Sequence, residues 1–201
     1  MALPISRPDR PVPPPLAISM SFAGRPTLAR FTLVMLLVAA VDLATKQAAT
    51  LLLTGPSAVV HVAERLSLLL VYNTGSAGGG TMGPYTWHVN VAVTVLALAL
   101  MAAVVTHLAA VDRRAIWALG TVGGGALGNL ASLLFGPPGV ADFLGLHLPG
   151  GAMMVANVAD LALWMGAAAL LPVVWSIVRV LRDDPRPLLQ IPAPAPVQNP
   201  M

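Results

Sequence analysis

The chain has 201 residues, of which 57% are hydrophobic and 9% charged, with a formal net charge of +3 at pH 7. Soluble domains carry roughly 25% charged residues, so this composition, with a mean hydropathy of +0.80, excludes a water-soluble globule and predicts an integral membrane protein. There is no cysteine, which excludes disulfides, thiolate metal sites and thiol nucleophiles, and the basic residues flank apolar runs instead of forming a nucleic-acid patch.

Residues 1–28 are rich in Pro and Arg and predict a disordered arm. The apolar run from Phe31 to Leu53 is the first predicted span. It exceeds the h-region of a signal peptide, about 7–15 residues, and shows no small-residue cleavage pattern. It also carries Asp42 and Lys46, so a retained span is expected. The link from Thr54 to Trp87 contains a β-branched, Leu-rich stretch from Val59 to Tyr72. One or two short strands at the membrane surface, or an irregular loop, both fit it. Three further spans are expected near 88–110, 115–135 and 152–178, each reaching the roughly 20 residues a bilayer requires. Asp142 falls in the short link before the last span, and Asp160 falls within that span. The segment 181–201, with Asp183-Asp184-Pro185 and the Pro-Ala alternation from Pro192 to Pro196, predicts a disordered tail. The expected fold class is thus an all-α membrane protein with four transmembrane helices in residues 29–180. A small extracytoplasmic β element is expected between helices 1 and 2.

Nine of the eleven Lys and Arg residues fall in the arm, in the link holding Arg113 and Arg114, and in the tail with Arg179, Arg182 and Arg186. The positive-inside rule assigns that side, and both termini, to the cytoplasm.

The polar residues inside these spans gather at one depth. At 1.5 Å rise per residue, Asn129 lies roughly 21 Å along the third span and Asp160 roughly 12 Å down the fourth, both in the outer half. Lys46 lies about 10 Å from the outer end of the first span, and Asp42 lies nearer the midplane. Asp42 and Lys46, four apart, predict a self-neutralising structural pair. Asn129 fits an interhelical hydrogen bond. Asp160 has no cation on its own span, and Asn157 shares its face and is placed to hold one of its oxygens. An acid in or beside hydrocarbon costs several kcal/mol unless paired or wet, so it marks a functional site by default. Two such acids brought together can share one proton and perform acid–base chemistry. Gly120, Gly124 and Gly128 repeat every four residues and predict a close helix–helix contact. His61, His88, His107 and His147 show no ligand spacing such as HExxH, and no metal site is expected.

Four blocks in order resemble signal peptidase II, the bacterial lipoprotein signal peptidase family. Asp42-Leu43-Ala44-Thr45-Lys46 resembles its D-x-x-T-K block, and Asn73-Thr74-Gly75-Ser76-Ala77 its N-x-G-x-A block. Gly124 to Leu130 followed by Val140-Ala141-Asp142-Phe143 is similar to its G-G-A-x-G-N block with V-x-D-F, and Asn157-Val158-Ala159-Asp160 to its N-x-A-D block. The resemblance covers about residues 31 to 178. It implies an aspartic endopeptidase, without metal or cofactor, that cleaves signal peptides from prolipoproteins carrying a diacylglyceryl group. It implies Asp142 and Asp160 as the catalytic pair. Asn73, Gly75, Asn129 and Asn157 would position substrate or catalytic groups, and Asp42 and Lys46 would support the structure. The implied partners are the lipid-modified precursor and membrane lipid. The implied location is the bacterial cytoplasmic membrane.

The chain departs from the family pattern at three places. Ser132 and Leu133 stand where the family has an acid–arginine pair, the glycines from Gly78 to Gly80 replace an aromatic position, and Ala156 stands where Phe is usual. These departures keep open a catalytically impaired paralogue that binds lipidated peptides. Intramembrane acids also keep open a proton-linked transporter subunit, although the four spans show no internal repeat.

Overall fold

The structure is a computed structural model, and it describes residues 24–53, 55, 58–75 and 80–183. The arm up to residue 23 and the tail from residue 184 lie outside these residues, as do Gly78 and Gly79.

Four helices carry the chain: α1 (Gly24–Leu52), α2 (Thr86–Val111), α3 (Arg114–Phe135) and α4 (Val158–Asp183). Each is long and apolar enough to cross a membrane, as expected, and the protein is a multi-pass membrane protein. α1 starts inside the segment assigned to the arm. Pro26 lies in its first turn, where a missing N–H removes no helical hydrogen bond, so proline there does not mark a break. A one-turn 3₁₀ helix, Gly83–Tyr85, leads into α2.

The β element expected between the first two helices is present as β1 (Val60–Ala63) and β2 (Leu66–Asn73). Two strands from between α3 and α4 join it: β3 (Val140–His147) and β4 (Met153–Ala156). Together they form one antiparallel sheet in the order β1-β2-β3-β4. Asp142 lies in the link between α3 and α4, as expected, and is carried there by β3. One site expectation is corrected here. Asp160 is in the first turn of α4, not two turns down a span that starts at Ala152. The run from Ala152 to Val178 is uniformly apolar at its start, so composition alone merged β4 with α4. The β3–β4 hairpin turns through Gly150 and Gly151, both at positive φ (91° and 85°), a backbone region open to glycine at little cost.

α3 is the central helix and packs on α1, α2 and α4. Between helices in a bilayer, close packing and hydrogen bonds replace the hydrophobic effect as the adhesive. The glycines supply that closeness. A Cβ on Gly124 would press into Val38 and the Met35 carbonyl of α1, and a Cβ on Gly125 into the Ala159 carbonyl of α4. Gly128 lies directly on the Asp42 carboxylate. One apolar cluster, Phe31, Val105, Ile116 and Leu119, closes the end of the bundle far from the sheet. A second, Ala49, Leu53 and Phe143, seats the sheet on the end of α1. Leucines and valines such as Leu33, Leu37, Val93 and Leu171 remain exposed on the helix exteriors, where hydrocarbon is the solvent.

Within the sheet, the buried Ser67 hydroxyl bonds His61 Nδ1 at 2.9 Å and His147 Nε2 at 2.8 Å. Two of the four histidines are therefore brought together, clamping β1 and β3 onto β2.

Candidate active site

Asp42, Lys46, Asn73, Asn129, Asp142, Asn157 and Asp160 enter one continuous hydrogen-bonded network at the sheet end of the bundle. It begins on α1. Asp42 and Lys46 are one helical turn apart, and Lys46 Nζ donates to Asp42 Oδ2 at 2.7 Å. Asp42 is fully buried, at 0% exposure. Its other oxygen accepts the Ala159 backbone N–H at 2.8 Å, in the first turn of α4. Lys46 also donates to Asn129 Oδ1 on α3, at 2.7 Å. The pair is therefore not closed on itself: it ties α1 to α3 and α4.

Asn129 passes the network on, donating from Nδ2 to Asp160 Oδ1 at 3.2 Å. Asp160 is fixed by a reciprocal cap. The Asn157 side chain accepts the Asp160 N–H at 3.0 Å, and Asp160 Oδ2 accepts the Asn157 N–H at 3.0 Å. This capping box satisfies two donors that a helix start otherwise leaves without partners. It also explains why the chain leaves β4 for α4 at Asn157. The Asn157 amide, at 0% exposure, is then free to donate to Asp142 Oδ1 at 2.6 Å and to Asn129 Oδ1 at 3.3 Å.

Asp142 reaches the same point from the sheet. Its second oxygen accepts Asn73 Nδ2 at 3.2 Å from the end of β2. Asn73 Oδ1 in turn accepts the Gly75 N–H at 2.9 Å, an Asx turn that orients the amide toward the acid. Asp142 is only 3% exposed. Burial pushes its carboxyl above the usual carboxylate range. The Asn157 donor opposes this, the Asp160 charge reinforces it, and the Asn73 donor and the Lys46 charge oppose it more weakly.

Asp142, Asp160, Asn73, Gly75, Asn129, Asn157, Asp42 and Lys46 are thus brought together. Asn90 of α2, which sequence reading passed over, holds the Gly75 carbonyl from Nδ2 at 3.3 Å. Its signal was available, an amide amid valines at Val89-Asn90-Val91. The two residues that stand where the family has an acid–arginine pair are visible too. Ser132 Oγ donates to Gly128 O of its own helix at 3.2 Å, and the Leu133 carbonyl accepts Trp87 Nε1 at 3.0 Å. A cavity of about 300 Å³ adjoins the network between α1, α3 and the sheet, lined by Lys46, Gln47, Tyr72, Ser132, Phe135 and Ala141 among others.

Two carboxyls held by one asparagine amide and its own backbone are equipped for shared-proton acid–base chemistry. The family model described as signal peptidase (SPase) II matches residues 34–176. A lipoprotein signal peptidase of Rhodopseudomonas palustris is 37% identical over 124 residues, covering 56% of this chain and 71% of that protein. One from Maridesulfovibrio salexigens is 34% identical over 108 residues, covering 52% and 69%. Two bacterial membrane enzymes solved by the in meso method, at 2.3 and 1.9 Å, superpose with TM-scores of 0.61 and 0.60. They cover 81% and 78% of this chain and 94% and 95% of their own, at 20% and 22% identity, which speaks for the fold alone. Because the family match reaches into all four helices and the sheet, the chain belongs to the signal peptidase II family.

Proposed function

We propose that the protein is an intramembrane aspartic endopeptidase that removes signal peptides from diacylglyceryl-modified prolipoproteins, with Asp142 and Asp160 as its acid–base pair. The observation that carries the assignment is that Asn157 bonds both carboxyls, one through its side chain and one through its backbone. Asp160 sits in the first turn of α4 and serves as the base. Asp142, whose burial favours the neutral form, carries the shared proton. Asp160 takes a proton from water as the water oxygen attacks the scissile carbonyl, and Asp142 gives its proton to the carbonyl oxygen. Collapse of the resulting diol returns a proton to Asp142, breaks the C–N bond and passes a proton from Asp160 to the departing amine. Asn73, Gly75, Asn129 and Asn157 hold the pair in position, and Asp42 with Lys46 anchors the three helices behind it. The adjoining cavity offers room beside Lys46 for the lipid-modified end of the substrate.

The orientation follows the charge pattern. Arg113, Arg114, Arg179 and Arg182 lie at the end of the helices far from the sheet, the cytoplasmic end by the positive-inside rule. The termini are then cytoplasmic, and the acids lie near the outer surface of the bacterial cytoplasmic membrane.

The test is cleavage of a diacylglyceryl prolipoprotein in liposomes. Wild-type protein shortens it, and Asp142→Asn and Asp160→Asn each abolish the product while remaining in the membrane. Unchanged cleavage in either variant removes the pair. One observation favours a slower or impaired enzyme: Ser132 spends its hydroxyl on its own helix and Leu133 carries no charge. If that substitution limits the rate, Ser132→Asp combined with Leu133→Arg raises it.

A further inference from the structure

β3 is paired with β2 along its length, down to Val140 opposite Asn73. On its other side the pairing with β4 runs only from His147 opposite Met153 to Leu144 opposite Ala156. β4 ends there because Asn157 caps α4. Beside Val140 to Phe143, and among the described residues, no strand occupies that edge.

Strand geometry says which backbone groups face the gap. Successive residues of an antiparallel strand turn their N–H and C=O alternately to one neighbour and the other. The Leu148 N–H bonds Ala152 O on the β4 side, and the His147 N–H bonds Arg65 O on the β2 side. The register shift between β2 and β3 falls on β2, where Leu69 and Leu70 stand together opposite Phe143. β3 therefore keeps its alternation. Counting back from Leu148, the residues facing β4 are Leu146, Leu144, Asp142 and Val140. Leu144 meets Ala156. Asp142 and Val140 face the slot that β4 vacates.

We infer that this slot receives the backbone of the substrate, which adds to the sheet as a short extended strand along Val140 to Asp142. The inference rests on the peptidase reading and specifies how its substrate is held. A signal peptide that unwinds at the membrane surface exposes N–H and C=O groups that hydrocarbon cannot satisfy. A sheet edge supplies their partners, as in other cases of strand addition. The residue whose backbone faces the slot is itself one of the two acids, so pairing sets the scissile bond beside Asp142 and, through Asn157, beside Asp160. The unpaired edge runs from the half-buried Val140 to the buried Asp142.

Strand addition makes a prediction that pocket binding does not. A substrate strand presents every second amide to β3. Synthetic diacylglyceryl-cysteine peptides, N-methylated at one residue at a time across the cleavage region, are expected to show alternation. Methylation at two residues spaced two apart lowers kcat/KM at least tenfold, and methylation of the residue between them changes it less than threefold. On the enzyme, the unmethylated peptide bound to Asp160→Asn slows amide hydrogen exchange at Val140 and Asp142. It leaves Leu144, already bonded to β4, and Gly145, bonded toward β2, unchanged. Sensitivity without a two-residue period, or bound peptide with no protection at Val140 and Asp142, overturns strand addition while cleavage by the wild type leaves the peptidase reading standing. Failure of the wild type to cut the unmethylated peptide overturns that reading instead, and the exchange measurement then decides strand addition on its own.

Discussion

Asn157 holds Asp142 through its amide at 2.6 Å and Asp160 through its backbone N–H at 3.0 Å, so neither acid moves without the other. Asn157→Ala removes the amide donor and half of the capping box. A misplacement of about 1 Å costs on the order of 100-fold in rate, and loss of an N-cap costs about 1 kcal/mol of stability. The expected result in a precursor-cleavage assay is a kcat lower by about two orders of magnitude with KM little changed. A KM effect alone would place Asn157 in substrate binding.

The pH profile reports on Asn73. Its amide donates to Asp142 and favours the ionised acid. Asn73→Ala removes that donor, so Asp142 keeps its proton to higher pH. The alkaline limb of kcat against pH, where the pair loses its shared proton, is expected to move upward, and the maximal rate to fall by about tenfold for one lost hydrogen bond to an acid. A limb that moves downward contradicts Asp142 as the proton holder.

Stability is linked to the same acid. Burial raises the Asp142 pKa in the folded protein. Its stabilising contribution is therefore fully present below the ordinary carboxylate pKa and is lost as pH rises through the raised value. Asp142→Asn escapes that loss. Its melting temperature in detergent is expected to exceed the wild type's at pH 8 and to match it at pH 4. An advantage that grows toward acid pH would reverse the sign and refute the assignment.

Lys46→Met tests the anchor on α1. It leaves the Asp42 carboxylate buried and without its cation, a change that costs about 3–5 kcal/mol. The double variant Asp42→Asn with Lys46→Met keeps an acceptor for the Ala159 N–H and removes the stranded charge. Thermal unfolding is expected to show the double variant more stable than the single one. Equal losses would mean that the pair stabilises little.

The helices and most of this network could be read from residue type alone, because an acid, a lysine or an asparagine stands out in an apolar run. Position was harder to read. Met153 to Val155 are as apolar as the helix that follows, so only Asn157 and Asp160, spaced as a capping box, marked where the helix starts. The strand bearing Asp142 was hidden for a different reason. β3 pairs with β2 across a separation of about 70 residues, and no local pattern announces such a contact. Ser67 between His61 and His147 escaped notice because the two histidines lie 86 positions apart in the chain.

Gly125 meets the Ala159 carbonyl with no space for a methyl group, one residue from Asp160. The vertical setting of α4 against α3 is thereby locked. A bilayer thicker or thinner than the bundle must be met by tilting the whole protein or by deforming the lipid, because the helices have no freedom to slip past each other. The height at which a peptide is cut is built into the protein as a fixed ruler, and acyl-chain length becomes a variable to which turnover should respond.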